Sequence, residues 1–304
     1  MTFIRSKGSG GSDQPETALR SAAVRDRRAV QRLTRSDSRA HRHLGWIPPL
    51  EWLGRDPFLI LTRGQRVLAA LACPPDEDQR VWLRLFAAAE DRERAEAWDA
   101  LWPRALDMLR KEEGKIQGVN VLVLQGWLEP ILRSSGFEQT AAVVTLDWDA
   151  AVAPQPPALP LVEIQPLTER HLDAVYRVDS SCFAPIWRNT RRQLRRALRE
   201  SALAEVALDG GEVVGYQLST AGTMAGHLAR LAVVPEHRGQ GIGKALVAQV
   251  LDGFQRLGMV RVTVNTQADN ASSLEIYRQF GFVRGEETYP VYDYRLHDEA
   301  ASVD

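Results

Sequence analysis

The 304-residue chain contains only two cysteines, Cys73 and Cys182, and more than a hundred residues separate them. Two distant thiols provide neither the close ligand spacing of a metal pair nor the several bridges of a disulfide framework. The sequence therefore predicts no metal site. Both thiols are expected to be packed against their neighbours.

Long apolar runs and a strong net charge are also missing. No stretch approaches the roughly 18 apolar residues that a membrane-crossing helix needs, and the first residues lack the apolar core of a signal peptide. The formal net charge is −1, which gives no general attraction to a polyanion. We therefore expect a cytoplasmic protein with no nucleic-acid and no membrane partner.

Glycine is absent between Val81 and Glu113 but clustered in the second half of the chain. There an apolar strand runs into a turn that reads Arg238-Gly-Gln-Gly-Ile-Gly-Lys244. Apolar residues recur at helical spacing after the turn, from Leu246 to Phe254, so the turn opens a helix. Free backbone N–H groups and the helix dipole at such a start favour phosphate oxygens. The segment therefore predicts an anion site.

Two familiar glycine-rich loops do not fit this turn. A Walker loop needs a Ser or Thr after Gly-Lys, whereas Ala245 follows Lys244 and carries no hydroxyl for magnesium. A dinucleotide fingerprint needs Gly-x-Gly-x-x-Gly, whereas Gly239, Gly241 and Gly243 alternate. Both of those phosphate-binding interpretations fail.

A second motif follows at Asn270-Ala-Ser-Ser-Leu-Glu-Ile-Tyr-Arg-Gln-Phe-Gly-Phe282. Together with Arg-x-x-Gly-x-Gly it resembles the paired motifs of the GCN5-related N-acetyltransferase (GNAT) superfamily, in the expected order and distance. The resemblance covers residues 161 to about 296. It implies an enzyme that uses acetyl-CoA as cosubstrate and needs no metal.

The resemblance also implies a set of cofactor-binding residues. The pantetheine arm would meet the backbone of the central strand, and the phosphates would meet the turn. The implied residues are Leu231, Ala232, Val233, Arg238, Gly239, Gln240, Gly241, Ile242, Gly243, Lys244 and Asn270. The strand triplet has the side chains of any buried strand, and Asn270 has the position of an ordinary helix N-cap, so structural roles remain open for both.

Tyr277 matches the family tyrosine that protonates the departing thiolate. A phenol with a pKa near 10 is protonated at neutral pH and can donate to sulfur. The alternative is a helix tyrosine that packs on a sheet with its hydroxyl in solvent.

The general base is less clearly marked. His227 stands four residues before the strand triplet, where histone-type members carry a glutamate, and imidazole titrates near neutrality. A structural histidine or a water chain remains open. Ribosomal-protein alanine acetyltransferases use a glutamate five residues before the asparagine, and that position here is Asn265, which cannot act as a base. Tyr216, Glu287 and Tyr289 are further candidates for the acceptor cleft.

The first half resembles a degenerate copy of the second. Val81-Trp-Leu-Arg-Leu-Phe-Ala87 resembles the central strand, and Ser134-Ser-Gly-Phe137 resembles the Gly-Phe ending. Leu132 stands where Tyr277 stands, and Gln125 stands where Asn270 stands. An unrelated α/β domain with a chance Gly-Phe ending is the alternative.

The predicted fold class is α/β with a mixed α+β sheet, in two tandem GNAT-like domains. Each would be a mostly antiparallel mixed sheet flanked by helices. The Pro-rich run 152–160 favours extended chain and is placed as the linker. The divisions are a flexible tail 1–20, a degenerate domain 21–151 without a cofactor loop, the catalytic domain 161–296 and a C-terminal tail 297–304.

The predicted activity is transfer of an acyl group, most simply acetyl, to a primary amine of a small molecule or peptide. One alternative is a tandem acetyltransferase like mycothiol synthase. The other is a sensor or regulator that binds acyl-CoA without turnover. Neither the acceptor amine nor the oligomeric state is specified by the sequence.

Overall fold

The computed structural model describes residues 16–35, 40–76, 80–112, 116–154, 157–223 and 225–296. Within that part of the chain, no helix combines the length and apolar character that a bilayer crossing requires. The predicted tail 297–304, most of the tail 1–20, and Gln155 and Pro156 of the predicted linker lie outside the described residues.

The two halves of the chain have similar but not identical orders of elements. The first half contains β1 (Thr17–Ser21), α1 (Arg27–Leu33), β2 (Ala40–Arg42), β3 (Phe58–Arg63), β4 (Arg66–Ala72), β5 (Arg80–Trp82), β6 (Leu85–Ala88), α2 (Arg94–Arg110), β7 (Gly118–Leu122), α3 (Leu128–Ser134) and β8 (Glu138–Asp149). The second contains β9 (Glu163–Pro166), α4 (Leu172–Cys182), α5 (Arg191–Glu200), β10 (Leu203–Asp209), β11 (Glu212–Ala221), β12 (Ala225–Val233), α6 (Ile242–Arg256), β13 (Arg261–Gln267), α7 (Ala271–Gln279) and β14 (Val283–Arg295).

The chain forms two compact units, and their limits differ from those of the predicted domains, 21–151 and 161–296. One unit is Met1–Thr140 with Pro290–Asp304, and the other is Ala141–Tyr289. The difference arises because β8 and β14 are exchanged: most of β8 pairs with β13, and the end of β14 pairs with β7. The sequence division at 152–160 stays a prediction about where one copy ends and the next begins.

In the first unit, β1-β3-β4-β6-β2 form an antiparallel sheet, while β5 pairs parallel with β7 and β7 antiparallel with β14. Residues 17–20, predicted to be flexible, instead belong to β1, because Thr17–Ser21 pairs with β3. The single strand predicted over 81–87 is interrupted. The Leu83 amide donates to the Asn120 carbonyl, and the Arg84 amide to the Ala72 carbonyl, so the chain changes neighbours between β5 and β6.

In the second unit the sheet order is β14-β8-β13-β12-β11-β10-β9. The pairing is antiparallel from β9 to β12 and between β13 and β8, and the β12–β13 pair is parallel. Tyr216 contacts Asp179 of α4, whereas its neighbour Gly215 lies under Leu246 of α6. Successive strand residues point to opposite faces, so α4 and α6 cover opposite faces of this sheet. The mixed α/β fold with flanking helices is confirmed in both units.

The site is positioned by a fork between β12 and β13. Their parallel pairing runs from Ala225 with Arg261 to Leu228 with Val264 and stops there. Beyond it, β12 continues to Val233 beside β11, and the β11–β12 register shifts between Leu218 and Ser219. Such an irregularity bends a strand. The residues after Leu228 therefore present a backbone edge that has no strand partner in the described chain.

Candidate active site

The glycine-rich turn between β12 and α6 forms a row of free amide donors. Gly239 and Gly241 have φ values of +77° and +82°, which L-residues with a Cβ rarely adopt. From Gly239 to Lys244, the backbone N–H groups make no hydrogen bond to any acceptor in the described chain. Six successive free donors at the start of a 15-residue helix are an arrangement that favours phosphate oxygens.

A cavity of about 560 Å³ lies in front of this turn. Its lining includes every predicted cofactor residue except Gln240. Residues of α7 complete one wall, and Cys182 and Phe183 at the end of α4 form another. The fork, the turn and α7 thus line one cavity, and cofactor binding there stays a prediction.

The backbone of the strand triplet is partly engaged. The Val233 carbonyl accepts hydrogen bonds from Cys182 Sγ and Arg238 Nε, each at 3.2 Å. A ligand donor that uses this carbonyl would displace at least one of these two donors. Leu231 and Ala232 line the cavity on the strand edge that lacks a neighbour.

Asn270 is the N-cap of α7, as the sequence allowed. Its Oδ1 accepts from the Ser273 amide at 3.2 Å, and its Nδ2 donates to Thr266 Oγ1 at 3.2 Å. The residue also lines the cavity. Capping is the role that the geometry displays, and a contact with the cofactor stays a prediction.

Tyr277 does not line the cavity, but it lies on the same helix as residues that do. Its ring is 3% exposed and belongs to a buried cluster with Leu228 and Val264, the last paired rung before the fork. Its hydroxyl makes no hydrogen bond to a described residue. Burial raises its pKa, which keeps the phenol protonated.

His227 lies one residue before Leu228, whose pairing with Val264 is the last between β12 and β13. It pairs with Thr263 of β13, so the two side chains lie on the same face of the sheet. Its Nδ1 is 2.8 Å from Thr263 Oγ1, and its Nε2 has no partner in the described chain. Burial lowers its pKa, so the imidazole is neutral at pH 7. His227 is not among the cavity-lining residues, and a proton would have to reach it through the acceptor or a water molecule.

The remaining candidates lie elsewhere. Tyr216 is fully buried and donates to Asp179 at 2.5 Å, so its hydroxyl is committed to structure. Tyr289 donates to Glu287 on the exposed part of β14. Among the described residues, no group of three or more His, Cys, Asp or Glu side chains is arranged to hold a metal ion.

Sequence reasoning missed the wall formed by Cys182 and Phe183. The sequence predicts a packed thiol at Cys182. The side chain is instead half-buried at the cavity, and its Sγ donates a hydrogen bond to the Val233 carbonyl. No motif marks this wall. The packing of α4 on β11 and β12 brings it there.

Comparison with known proteins supports the same segment. Residues 172–282 match the profile of the acetyltransferase (GNAT) family. N-alpha-acetyltransferase 30 of Schizosaccharomyces pombe is 33% identical over 92 residues, which are 29% of this chain and 61% of the relative. Mycothiol acetyltransferase of Pseudarthrobacter chlorophenolicus is 33% identical over 81 residues, which are 25% of each chain. The match thus spans less than two thirds of either relative.

The fold likeness extends over nearly the whole chain. A tandem GNAT protein from the clavulanic acid biosynthesis pathway superposes with a TM-score of 0.63 at 16% identity, covering 93% of this chain and 99% of that one. At this identity the likeness concerns the fold alone. Residues 172–282 are thus similar to the acetyltransferase (GNAT) family, within a chain that has the fold of a tandem GNAT protein.

Proposed function

We propose that this protein transfers an acetyl group from acetyl-CoA to a primary amine of a small molecule or peptide. The observation that carries the proposal is the row of six free amides, Gly239 to Lys244, in which every residue except Gln240 lines the cavity at the β12–β13 fork. The row suits a pyrophosphate, and the unpaired edge of β12 suits the amide-rich pantetheine arm. Lys244 and Arg238 add positive charge at the same wall.

Direct transfer needs few groups. The neutral amine attacks the thioester carbonyl, a C–N bond forms, the C–S bond breaks, and the thiolate takes up a proton. Tyr277 is proposed as the donor of that proton, because its phenol is protonated and its ring packs beside the fork. His227 is proposed to accept the proton of the ammonium through water, with Nδ1 held by Thr263 and Nε2 free.

Only the second half is proposed to bind acetyl-CoA. In the first unit, the turn before α2 carries Glu90, Asp91 and Glu93 and no glycine. Carboxylates there would repel a phosphate. Phe86 and Trp127 pack together, with Arg94 over the Trp127 ring at 4.2 Å, beside the break between β5 and β6. These side chains support the interpretation of the first half as a degenerate copy of the second.

The C-terminal turns of α3 and α7 strengthen that interpretation. The Phe137 amide donates to the Leu132 carbonyl at 3.1 Å, and the Phe282 amide to the Tyr277 carbonyl at 3.0 Å. Gly136 and Gly281 have the same φ of +85°. The likeness of the two turns supports Leu132 as the counterpart of Tyr277, and a leucine cannot donate a proton.

The acceptor remains the open part of the proposal. An acceptor like that of a mycothiol-synthase-type enzyme is a second candidate, favoured by the tandem fold and by the relative named for that activity. An acyl-CoA sensor without turnover is disfavoured by the free Tyr277 hydroxyl, since a sensor needs no proton donor. A cytoplasmic location stays a prediction.

The testing experiment measures free CoA released from acetyl-CoA with a panel of amines. The panel holds N-terminal peptides, polyamines, aminoglycosides and amino-sugar thiols. The proposal expects release that depends on one amine class and a stoichiometric acetylated product by mass spectrometry. Tight acetyl-CoA binding with no amine-dependent release across the panel would favour the sensor.

A further inference from the structure

A buried charge cluster ties the end of α4 to the central strands. The Asp179 side chain is fully buried. Its Oδ2 accepts from Tyr216 Oη at 2.5 Å, from Arg230 Nε at 2.9 Å and from Arg230 Nη2 at 2.6 Å. Its Oδ1 accepts from the Asn189 amide at 2.8 Å. One carboxylate thus joins α4, β11, β12 and the segment that follows α4.

Arg230 extends these contacts along the same segment, residues 183–190, which connects α4 to α5. Its Nη2 also donates to the Trp187 carbonyl at 2.7 Å, and its guanidinium lies 3.4 Å from the centre of the Phe183 ring. The segment is therefore held at Phe183, Trp187 and Asn189 by one ion pair. Only 14% of the Arg230 side chain is exposed.

The segment reaches the cavity through Phe183. The cavity is lined by the strand triplet, by the turn with α7, and by Cys182 with Phe183. The proposed phosphate and pantetheine contacts use the first two. The wall at Phe183 is left for the acceptor, and Arg230 lies immediately before Leu231 in the strand.

We propose that the Arg230–Asp179 ion pair is a positioning device that sets the acceptor side of the cavity by holding Phe183 and the 183–190 segment in place. The inference rests on the proposed transfer reaction. It assigns to Arg230 a role in amine recognition and none in binding acetyl-CoA. Arg230 touches no reacting atom in this account, so it is a positioning residue.

Arginine is the residue type that this geometry needs. A planar guanidinium can bond a carboxylate and a carbonyl through different N–H groups while its face lies on an aromatic ring. Lysine keeps the charge beside Asp179, but it lacks the planar set of several N–H donors and the flat face of a guanidinium. Arg230→Lys therefore loosens the segment without leaving the Asp179 carboxylate uncompensated.

The test compares Arg230→Lys and Phe183→Leu with the wild-type protein, using the best amine from the panel. Steady-state kinetics give KM for the amine, and calorimetry gives Kd for acetyl-CoA. The expected result is a rise in amine KM on the order of tenfold for each variant, since small misplacements are costly, with acetyl-CoA Kd unchanged within about twofold. The double variant should add little, because both changes release the same contact.

Arg256→Lys is the matched control, because Arg256 pairs with Asp252 on the surface of α6 and should leave amine KM unchanged. Thermal melting reports any general loss of stability, and Phe183→Leu keeps the test decisive if Arg230→Lys folds poorly. Unchanged amine KM in a folded variant would overturn the positioning role. An equal weakening of acetyl-CoA binding would also overturn it, whereas absence of any turnover by the wild type would overturn the proposed function itself.

Discussion

At the scale of single residues, Tyr277 is the group whose removal tests the chemistry most simply. Tyr277→Phe keeps the ring in its buried cluster with Leu228 and Val264 and removes only the hydroxyl. We expect kcat to fall by roughly 10²-fold, while acetyl-CoA Kd stays nearly constant. Pre-steady-state kinetics should confirm that chemistry limits the rate.

A matched control for that variant is Tyr289→Phe, which removes an exposed hydroxyl bonded to Glu287. It should retain wild-type turnover. If Tyr277→Phe were as active as the wild type while chemistry limited the rate, Tyr277 would be a packing residue, and the proton would come from solvent.

His227 predicts a pH dependence with a definite sign. The proposed base is its neutral form, and burial lowers its pKa. The kcat/KM should therefore rise with pH through a step below the ordinary histidine value of about 6.5. A second step at higher pH belongs to the amine, which must also lose a proton.

His227→Ala should remove the lower step, leave the amine step, and regain part of its activity at high pH, where neutral amine is abundant. Thr263→Val removes the hydroxyl next to Nδ1 and should weaken activity less than His227→Ala does. An unchanged profile in folded His227→Ala would exclude this residue and point to a water chain.

At the scale of elements, the start of α7 separates two roles of Asn270. Asn270→Ala removes the cap on the Ser273 amide and should cost about 1 kcal/mol of unfolding free energy. Asn270→Asp restores a cap but places a negative charge at the cavity. If Asn270 also contacts the cofactor, Asp should recover the melting temperature and not the acetyl-CoA affinity. Equal recovery of both would leave capping as its whole role.

The turn before α6 gives a second element-scale prediction. A Cβ on Gly241 would lie 2.7 Å from Pro160 Cγ, whereas a Cβ on Gly239 would meet nothing within 4 Å. Both residues have positive φ, so both alanine variants carry the same backbone strain, about 1 kcal/mol. Gly241→Ala should weaken acetyl-CoA binding and stability more than Gly239→Ala, measured by calorimetry and melting. Equal effects would show that the Pro160 contact is unimportant.

Much of the second half was predictable at this scale. Helical spacing and the second motif predict helices over 169–181, 191–201 and 271–280. A turn at Asp209-Gly210-Gly211 predicts a hairpin of strands 203–208 and 213–218, and a further strand is predicted over 260–266. These agree with α4, α5, α7, β10, β11 and β13 to within a few residues. The sequence predicts the final strand from Tyr289, whereas β14 begins at Val283. The difference arises because exposed charged residues at the start of β14 weaken the alternation of apolar and polar residues. A side chain at position 241 would clash with Pro160. Local sequence does not predict this contact, because the two residues are far apart in the chain.

At the scale of the whole molecule, the exchange of β8 and β14 could not be predicted. Pairing partners more than a hundred residues apart leave no local pattern, and the Pro-rich connection suggested a clean boundary. The same limit hid the Arg230–Asp179 pair, whose members are 51 positions apart. The motifs, in contrast, depend on local turn and helix geometry, which is why they predict a candidate site from the sequence.

The exchange predicts that a fragment starting at residue 160 will be defective. It lacks Val144, Leu146 and Trp148, which are buried in the same cluster as Tyr277. Each buried side chain of this kind contributes roughly 1.5–3 kcal/mol, so their loss approaches the whole stability of a domain. A fragment starting at residue 138 should melt at a higher temperature. Equal melting of both fragments would show that β8 is dispensable.

We infer that the protein has one working acetyl-CoA site, at the turn before α6. Calorimetric titration of the full chain with acetyl-CoA tests it most directly, with Gly241→Val titrated in parallel. We predict a stoichiometry near one for the wild type and a strongly weakened or lost signal for the folded variant. A stoichiometry near two, or binding that Gly241→Val leaves unchanged, would contradict the account.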